Sequence, residues 1–92
     1  MPKINYLKDI DDLEIIFKSN DIPEVIKLQS GITLEFDSEQ LTAIILPHFF
    51  QMLHRQYMEE TIEFVEFNDN MVKLKLNEQI INIKIDLSEI EN

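Results

Sequence analysis

"SEQLTAIILPHFFQMLHRQYMEE" (residues 38–60) is where the fold hinges. At about 100° per residue, Leu41, Ile45, Phe49, Met52 and Leu53 fall on one stripe, continued by Leu46 and Tyr57. Asp37 or Ser38 supplies a capping side chain just before it. The spacing predicts a central helix running to about Glu60. It is kinked at Pro47, where proline removes one hydrogen bond and clashes with the preceding turn. Ile44, Phe50 and Met58 point away from the stripe, and His54 sits between Phe50 and Met58. A surface helix normally carries a single apolar stripe. Ile44, Phe50, His54 and Met58 are therefore expected to form a second face that meets a partner or a second copy across a self-complementary two-fold contact.

Working outward toward the N-terminus, "EVIKLQSGITLEF" (24–36) places Ile26, Leu28, Ile32, Leu34 and Phe36 at even positions. For these to share a face, Leu28 must oppose Ile32, which leaves the three-residue loop Gln29-Ser30-Gly31. Such a loop is usually a type I turn followed by a left-handed residue. Gly31, the one glycine of the chain, falls at that third position. Before it, Tyr6, Ile10, Leu13 and Phe17 recur at spacings of four, three and four, with Leu7 and Ile16 alongside, which predicts an N-terminal helix. "SNDIP" (19–23) ends it, because Pro23 disfavours helix in the preceding residue.

Toward the C-terminus the period becomes two. Val72, Leu74 and Leu76 alternate with Lys73 and Lys75, and Ile81, Ile83, Ile85 and Leu87 alternate with Asn82, Lys84 and Asp86. "NEQ" (77–79) turns between these strands. "TIEFVEF" (61–67) is a strand of ambiguous register. One pairing puts Ile62 and Phe64 inward and Glu63 opposite Lys75, whereas a one-residue slip puts Val65 and Phe67 inward. The expected fold is α+β, one domain over residues 1–92, in the order α-β-β-α-β-β-β. It has a five-stranded, mostly antiparallel sheet with two helices packed on one face.

Eighteen acidic residues against eight basic ones give a net charge of −10, which disfavours direct nucleic-acid binding, since phosphate neutralisation needs clustered Lys and Arg. No cysteine is present, so disulfides and thiolate metal sites are excluded. No apolar run approaches the ~20 residues of a membrane span, and the N-terminus lacks a signal-peptide core. An intracellular protein is expected.

His48 and His54 are the candidate catalytic or metal-binding groups, and their pattern argues against both roles. Six positions apart on a helix they diverge by about 120°, and neither has Asp or Glu at three or four residues' distance. No serine sits in a G-x-S-x-G turn, and one glycine cannot make a phosphate-cradling loop. No cofactor, metal or enzymatic activity is expected. The other concentrated feature is "EETIEFVEFNDN" (59–70), where Glu59, Glu60, Glu63, Glu66 and Asp69 occur without a basic residue among them. Together with Phe67 they are the candidate partner-binding residues. They form either a solvated strand face partly neutralised by Lys73, Lys75 and Lys84, or an acidic strip that docks on a nucleic-acid-binding groove of another protein.

"LEIIFKSNDIPEVIKL" (13–28) and "EETIEFVEFNDNMVKLKLNE" (59–78) resemble the corresponding stretches of a family of small anti-CRISPR proteins from archaeal rod-shaped viruses, over about 40% of the chain. Most of the likeness rests on Phe17, Ser19, Ile22, Glu24 and the "TIEFVEF" strand. The resemblance implies a short α+β domain, a homodimer without enzymatic activity, and residence in the host cytoplasm. It also implies inhibition of a type I-D or type III-B CRISPR effector complex by binding a protein subunit, the large subunit in the I-D case. The alternatives are a generic acidic interaction or immunity-type module and, in a different class, a viral enzyme that degrades cyclic oligoadenylate.

Overall fold

Period-two alternation, not the helical period, governs nearly the whole chain. The computed structural model describes residues 1–90, in which eight strands form two antiparallel sheets. Sheet I contains β1 (Lys3–Leu7), β2 (Asp12–Ile16), β3 (Glu24–Lys27), β4 (Thr33–Asp37) and β5 (Gln40–Leu46), in the order β1-β2-β5-β4-β3. Sheet II is the meander β6 (Ile62–Asn68), β7 (Met71–Leu76) and β8 (Gln79–Lys84). The helix α1 (Phe49–Met52) is a single turn, and a 3-10 turn covers Leu87–Glu89.

The expected α+β fold, with two helices packed on one five-stranded sheet, is therefore corrected, and so is the α+β domain that the resemblance implied. The N-terminal helix is the β1–β2 hairpin. Tyr6 and Leu13 are seven residues apart, which is two helical turns but also a directly opposed pair across this hairpin. Leu13 and Ile15 are fully buried, whereas Ile10, which the helical stripe required inside, lies in the turn and is 58% exposed. The central helix is β5 followed by α1. Thr42, Ile44 and Leu46 alternate onto the core face with no exposed surface. Thr and Ile are β-branched, and their stiff side chains suit a pleated surface better than a helix. Asp37 and Ser38 cap nothing; Asp37 pairs with Gln40 across a two-residue hairpin turn.

The β3–β4 hairpin follows its sequence. Ile26 faces Leu34, Leu28 N–H donates to Ile32 C=O at 2.8 Å, and Gly31 turns with φ of 94°. A Cβ at Gly31 would lie 3.3 Å from Pro47 Cγ. Gly31→Ala adds an unfavourable backbone conformation to that contact. It is expected to cost about 1–2 kcal/mol, read as a lowered urea midpoint at unchanged slope.

Each candidate register of residues 61–67 holds over one part of the strand, but Val65, which the slipped register puts inward, lies outside. Ile62, Glu63 and Phe64 pair with Leu76, Lys75 and Leu74, then the register shifts, and Glu66 and Phe67 pair with Lys73 and Val72. Val65 is the extra residue of a bulge. Ile62, Phe64 and Phe67 consequently all face the core, while Val65 stays 45% exposed.

The sheets pack face to face over one core. Phe67, Val72 and Ile83 form one row across sheet II. At one end of that row Phe67 lies 6.2 Å from Phe17, just beyond the C-terminal end of β2. At the other end Ile83 shares a cavity wall with Ser30 and Ile32, at the opposite end of sheet I. The core between the sheets is largely aliphatic, with Phe49 and Phe50 of α1 at one corner. Thr42, the buried polar residue, donates its hydroxyl to Glu35 C=O and accepts from Asn20 Nδ2, so its burial leaves nothing unpaired.

Candidate protein-docking surface

The four residues expected to form a second helical face do not share one. Ile44 is fully buried and Phe50 is 2% exposed, while Met58 is 73% exposed and His54 lies on the surface. Ile44 and Phe50 are absorbed by the chain's own core, and Met58 is not. Phe50 stands edge-on to Tyr6 and Phe49, with ring centroids 5.2 and 5.0 Å away, lies 5.3 Å from Tyr57, and is covered by the Arg55 guanidinium at 5.0 Å.

Asp11, in the β1–β2 turn, organises this corner. Its carbonyl accepts Phe49 N–H at 2.8 Å, its Oδ1 accepts Phe50 N–H at 3.0 Å, and its Oδ2 accepts Gln51 N–H at 3.1 Å. These are the first three donors of α1, which the helix cannot satisfy itself. Tyr6 completes the group by donating its hydroxyl to Asp11 Oδ1 at 2.6 Å. Burial alone would raise the Asp11 pKa, but the hydrogen bonds from Tyr6, Phe50 and Gln51 outweigh it and hold the carboxyl below the usual range. Burial, then the Asp11 carboxylate, pushes the Tyr6 phenol well above its ordinary value. Neither residue stood out in the sequence, because capping across the fold joins Asp11 to positions about 40 residues away.

His48 caps α1 with a left-handed backbone, φ 52°, and His54 is left-handed too, φ 60°. Both face solvent as turn residues. Among the described residues no three His, Asp or Glu side chains converge on a metal position.

The acidic candidates divide. Glu60 turns inward: its side chain is 5% exposed, it bonds Arg55 Nη2 at 2.7 Å, and it accepts Met58 N–H at 3.2 Å. The Arg55 hydrogen bond, against the cost of burial, holds its carboxyl below the usual range. Phe67 also turns inward, against Phe17. Glu59, Glu63, Glu66 and Asp69 stay outside, following β6 from the residues before it to the turn after it. The Val65 bulge gathers the central pair. It keeps both Phe64 and Phe67 inward, so it turns both Glu63 and Glu66 outward, although they are an odd number of residues apart. Cations flank the strip: Lys73 Nζ is 3.2 Å from Glu66, Lys8 Nζ is 4.0 Å from Glu59, and Lys75 pairs across from Glu63. These are exposed pairs, which contribute little to stability and leave the carboxylates accessible. Among the described residues no helix is long and apolar enough to cross a membrane.

No protein-family model, curated protein or solved structure matches the chain.

Proposed function

We propose that the chain is a non-catalytic binding protein whose acidic β6 face docks on a basic surface of another protein. The fuller form of the proposal is an inhibitor of a CRISPR effector complex, acting in the host cytoplasm by occupying an effector subunit in competition with nucleic acid. The observation that carries the binding reading is the bulge-imposed alignment of Glu63 and Glu66 on the outer face of a rigid strand, with Glu59 and Asp69 beyond its ends. A net charge of −10 adds long-range attraction to basic partners. The resemblance of residues 13–28 and 59–78 to the archaeal-virus inhibitors supplies the CRISPR target.

The test is titration of the protein against purified type I-D large subunit and type III effector complexes. Affinity is expected to fall steeply between about 0.05 M and about 0.5 M salt. Glu63→Lys with Glu66→Lys should weaken binding by roughly 10-fold or more, mostly through the association rate. Each new Lys stands opposite Lys75 or Lys73, so the melting temperature should fall modestly, whereas Glu63→Gln with Glu66→Gln avoids that repulsion, should nearly keep it, and should still weaken binding. Binding that ignores both salt and charge reversal sinks the acidic-strip mechanism, and failure to bind either complex sinks the CRISPR target.

A further inference from the structure

The four sheet edges are not equally protected, and the difference points to a second surface on β8. The β3 edge is entered by Pro23, carries Glu24 and Lys27, and is closed at one end by the C-terminal segment. There Gln29 N–H donates to Glu89 C=O at 2.8 Å, and Leu28 bridges Ile90. β6 has its bulge and two carboxylates, and β1 lies beside it. Charges, prolines, bulges and covering segments are the usual devices that keep an edge from pairing with another chain. Among the described residues β8 has no such bulge or strand paired on its outer edge: all six of its residues pair with β7 in unbroken register, and its one charge is Lys84 at the end.

The register fixes which groups are open. Leu76 and Gln79 close a two-residue turn, so Gln79, Ile81 and Ile83 exchange hydrogen bonds with β7. Ile85 N–H continues this alternation to Asn70 C=O at 2.7 Å. Ile80, Asn82 and Lys84 therefore direct N–H and C=O away from the sheet, and those groups have no hydrogen-bond partner among the described residues. Beside this edge, on the inward side, lies an open cavity of ≈ 390 Å³. Ile32, Met52, Leu53 and Ile83 form its apolar wall, and Lys84, Asp86 and Glu89 are its charged lining, one positive against two negative; Asp86 Oδ1 accepts Ser88 N–H and hydroxyl, which leaves Oδ2 and the Glu89 carboxylate open. Neither acid makes an ion pair among the described residues.

We infer that β8 accepts an extended segment of a partner protein as a fourth strand of sheet II, the segment seating one large apolar side chain in this cavity and a Lys or Arg two positions away against Asp86 and Glu89. Main-chain pairing supplies affinity and the cavity supplies selectivity, as in other strand-addition sites. Residues two apart on a strand share a face, so the anchor and the cation both point inward. A second copy pairing through its own β8 would leave the cavity and its acids unfilled. Its β8 would offer Ile81 and Ile83, which are already packed in its own core, and it carries no cation at an inward position of that strand. The surface is separate from the β6 carboxylates, so its test is read independently of theirs.

The experiment selects random heptapeptides displayed on phage against the intact protein, then measures synthetic winners by fluorescence anisotropy. The expected winners carry an apolar residue with Lys or Arg two positions away. N-methylation of the peptide's β8-facing amides should weaken binding at least about tenfold. Asn82→Pro should do the same, and because proline is tolerated where an edge N–H faces solvent, the variant should keep its melting profile. Glu89→Lys, which leaves the Asp86 cap on Ser88 in place, should abolish the preference for Lys or Arg at the second position. Winners without this pattern, or binding that survives N-methylation, overturn the proposal. So does a dimer in light scattering that Asn82→Pro dissociates, since the edge would then belong to a second copy.

Discussion

Phe50→Ala is expected to cost about 3–5 kcal/mol, the range for emptying a buried aromatic site. Phe50 is 2% exposed and touches Tyr6, Phe49, Tyr57 and the Arg55 guanidinium. The lost side chain removes apolar burial and several edge-on ring contacts together, and the corner cannot collapse easily because Asp11 pins α1. Domains of this size are commonly stable by only about 5–15 kcal/mol, and short chains lie toward the low end. The variant should therefore be largely unfolded at moderate urea, with a loss of near-ultraviolet signal. Met58→Ala is the matched control: Met58 is 73% exposed and its truncation should stay within about 0.5 kcal/mol. Equal, small effects at both positions would mean that Phe50 does not sit in the core of the single chain, and would return it to a role between chains.

Asp11→Ala is the second large effect. It removes the acceptors for Phe50 N–H, Gln51 N–H and the half-buried Tyr6 hydroxyl. Loss of a cap costs about 0.5–2 kcal/mol, and alanine at the left-handed φ of 57° adds about 1–2. The two act at one residue, so a total of about 2–4 kcal/mol is expected. Asp11→Asn should cost less, since its carbonyl oxygen can still accept the two bonds that Oδ1 takes, from Tyr6 O–H and Phe50 N–H, and loses only the one to Gln51 N–H. The pH dependence carries the sign of a depressed carboxyl. The Asp11 pKa lies below its ordinary value in the folded protein, so its stabilisation is present above about pH 4 and is lost as pH falls through the folded value. The gap in stability between the natural protein and Asp11→Ala should thus be wide near neutrality and narrow in acid. A gap that is constant from neutral pH to about pH 2 would show that the carboxylate charge contributes nothing. Asp9→Ala, at an exposed turn position, should leave stability nearly unchanged.

The misread elements share a cause. The chain has one glycine, and only the hairpin turn containing it was recognised as a turn with a defined left-handed residue. The other left-handed positions fall to Asp11, Ser38, His48, His54, Glu59, Asp69, Asn70 and Asn77. Asp and Asn tolerate that conformation better than most residues, yet they are equally at home in loops and helix ends, so they mark a turn weakly. Asp69 and Asn70 both have positive φ, the pattern of a type I′ hairpin turn, with Asn where Gly is usual. Without glycine as punctuation, β1 and β2 ran together as one long amphipathic stretch, and so did β5 and α1. The accidental seven-residue spacing of Tyr6 and Leu13 then completed a helical pattern.

The candidate docking residues were half legible. The acidic concentration of residues 59–70 is plain in the sequence, but not which carboxylates are available. Glu60 was lost to Arg55 and Phe67 to Phe17, while the bulge brought Glu63 and Glu66 to one face. The open edge of β8 was visible only as an alternating strand, because whether an edge is covered depends on every other strand.

By itself the sequence determined what depends on neighbours within a few residues: the Gly31 hairpin and its register, the alternating strands β7 and β8, and the charge. Tertiary structure alone decided whether Thr42–Leu46 would be strand or helix, since both periods place apolar groups acceptably and only the second sheet selects between them. It also decided that Phe50 lies inside, that Asp11 caps a helix about 40 residues away, and that β6 changes register at Val65. Each of these depends on which distant surface is available to bury a side chain or receive a hydrogen bond, and local spacing carries no record of that.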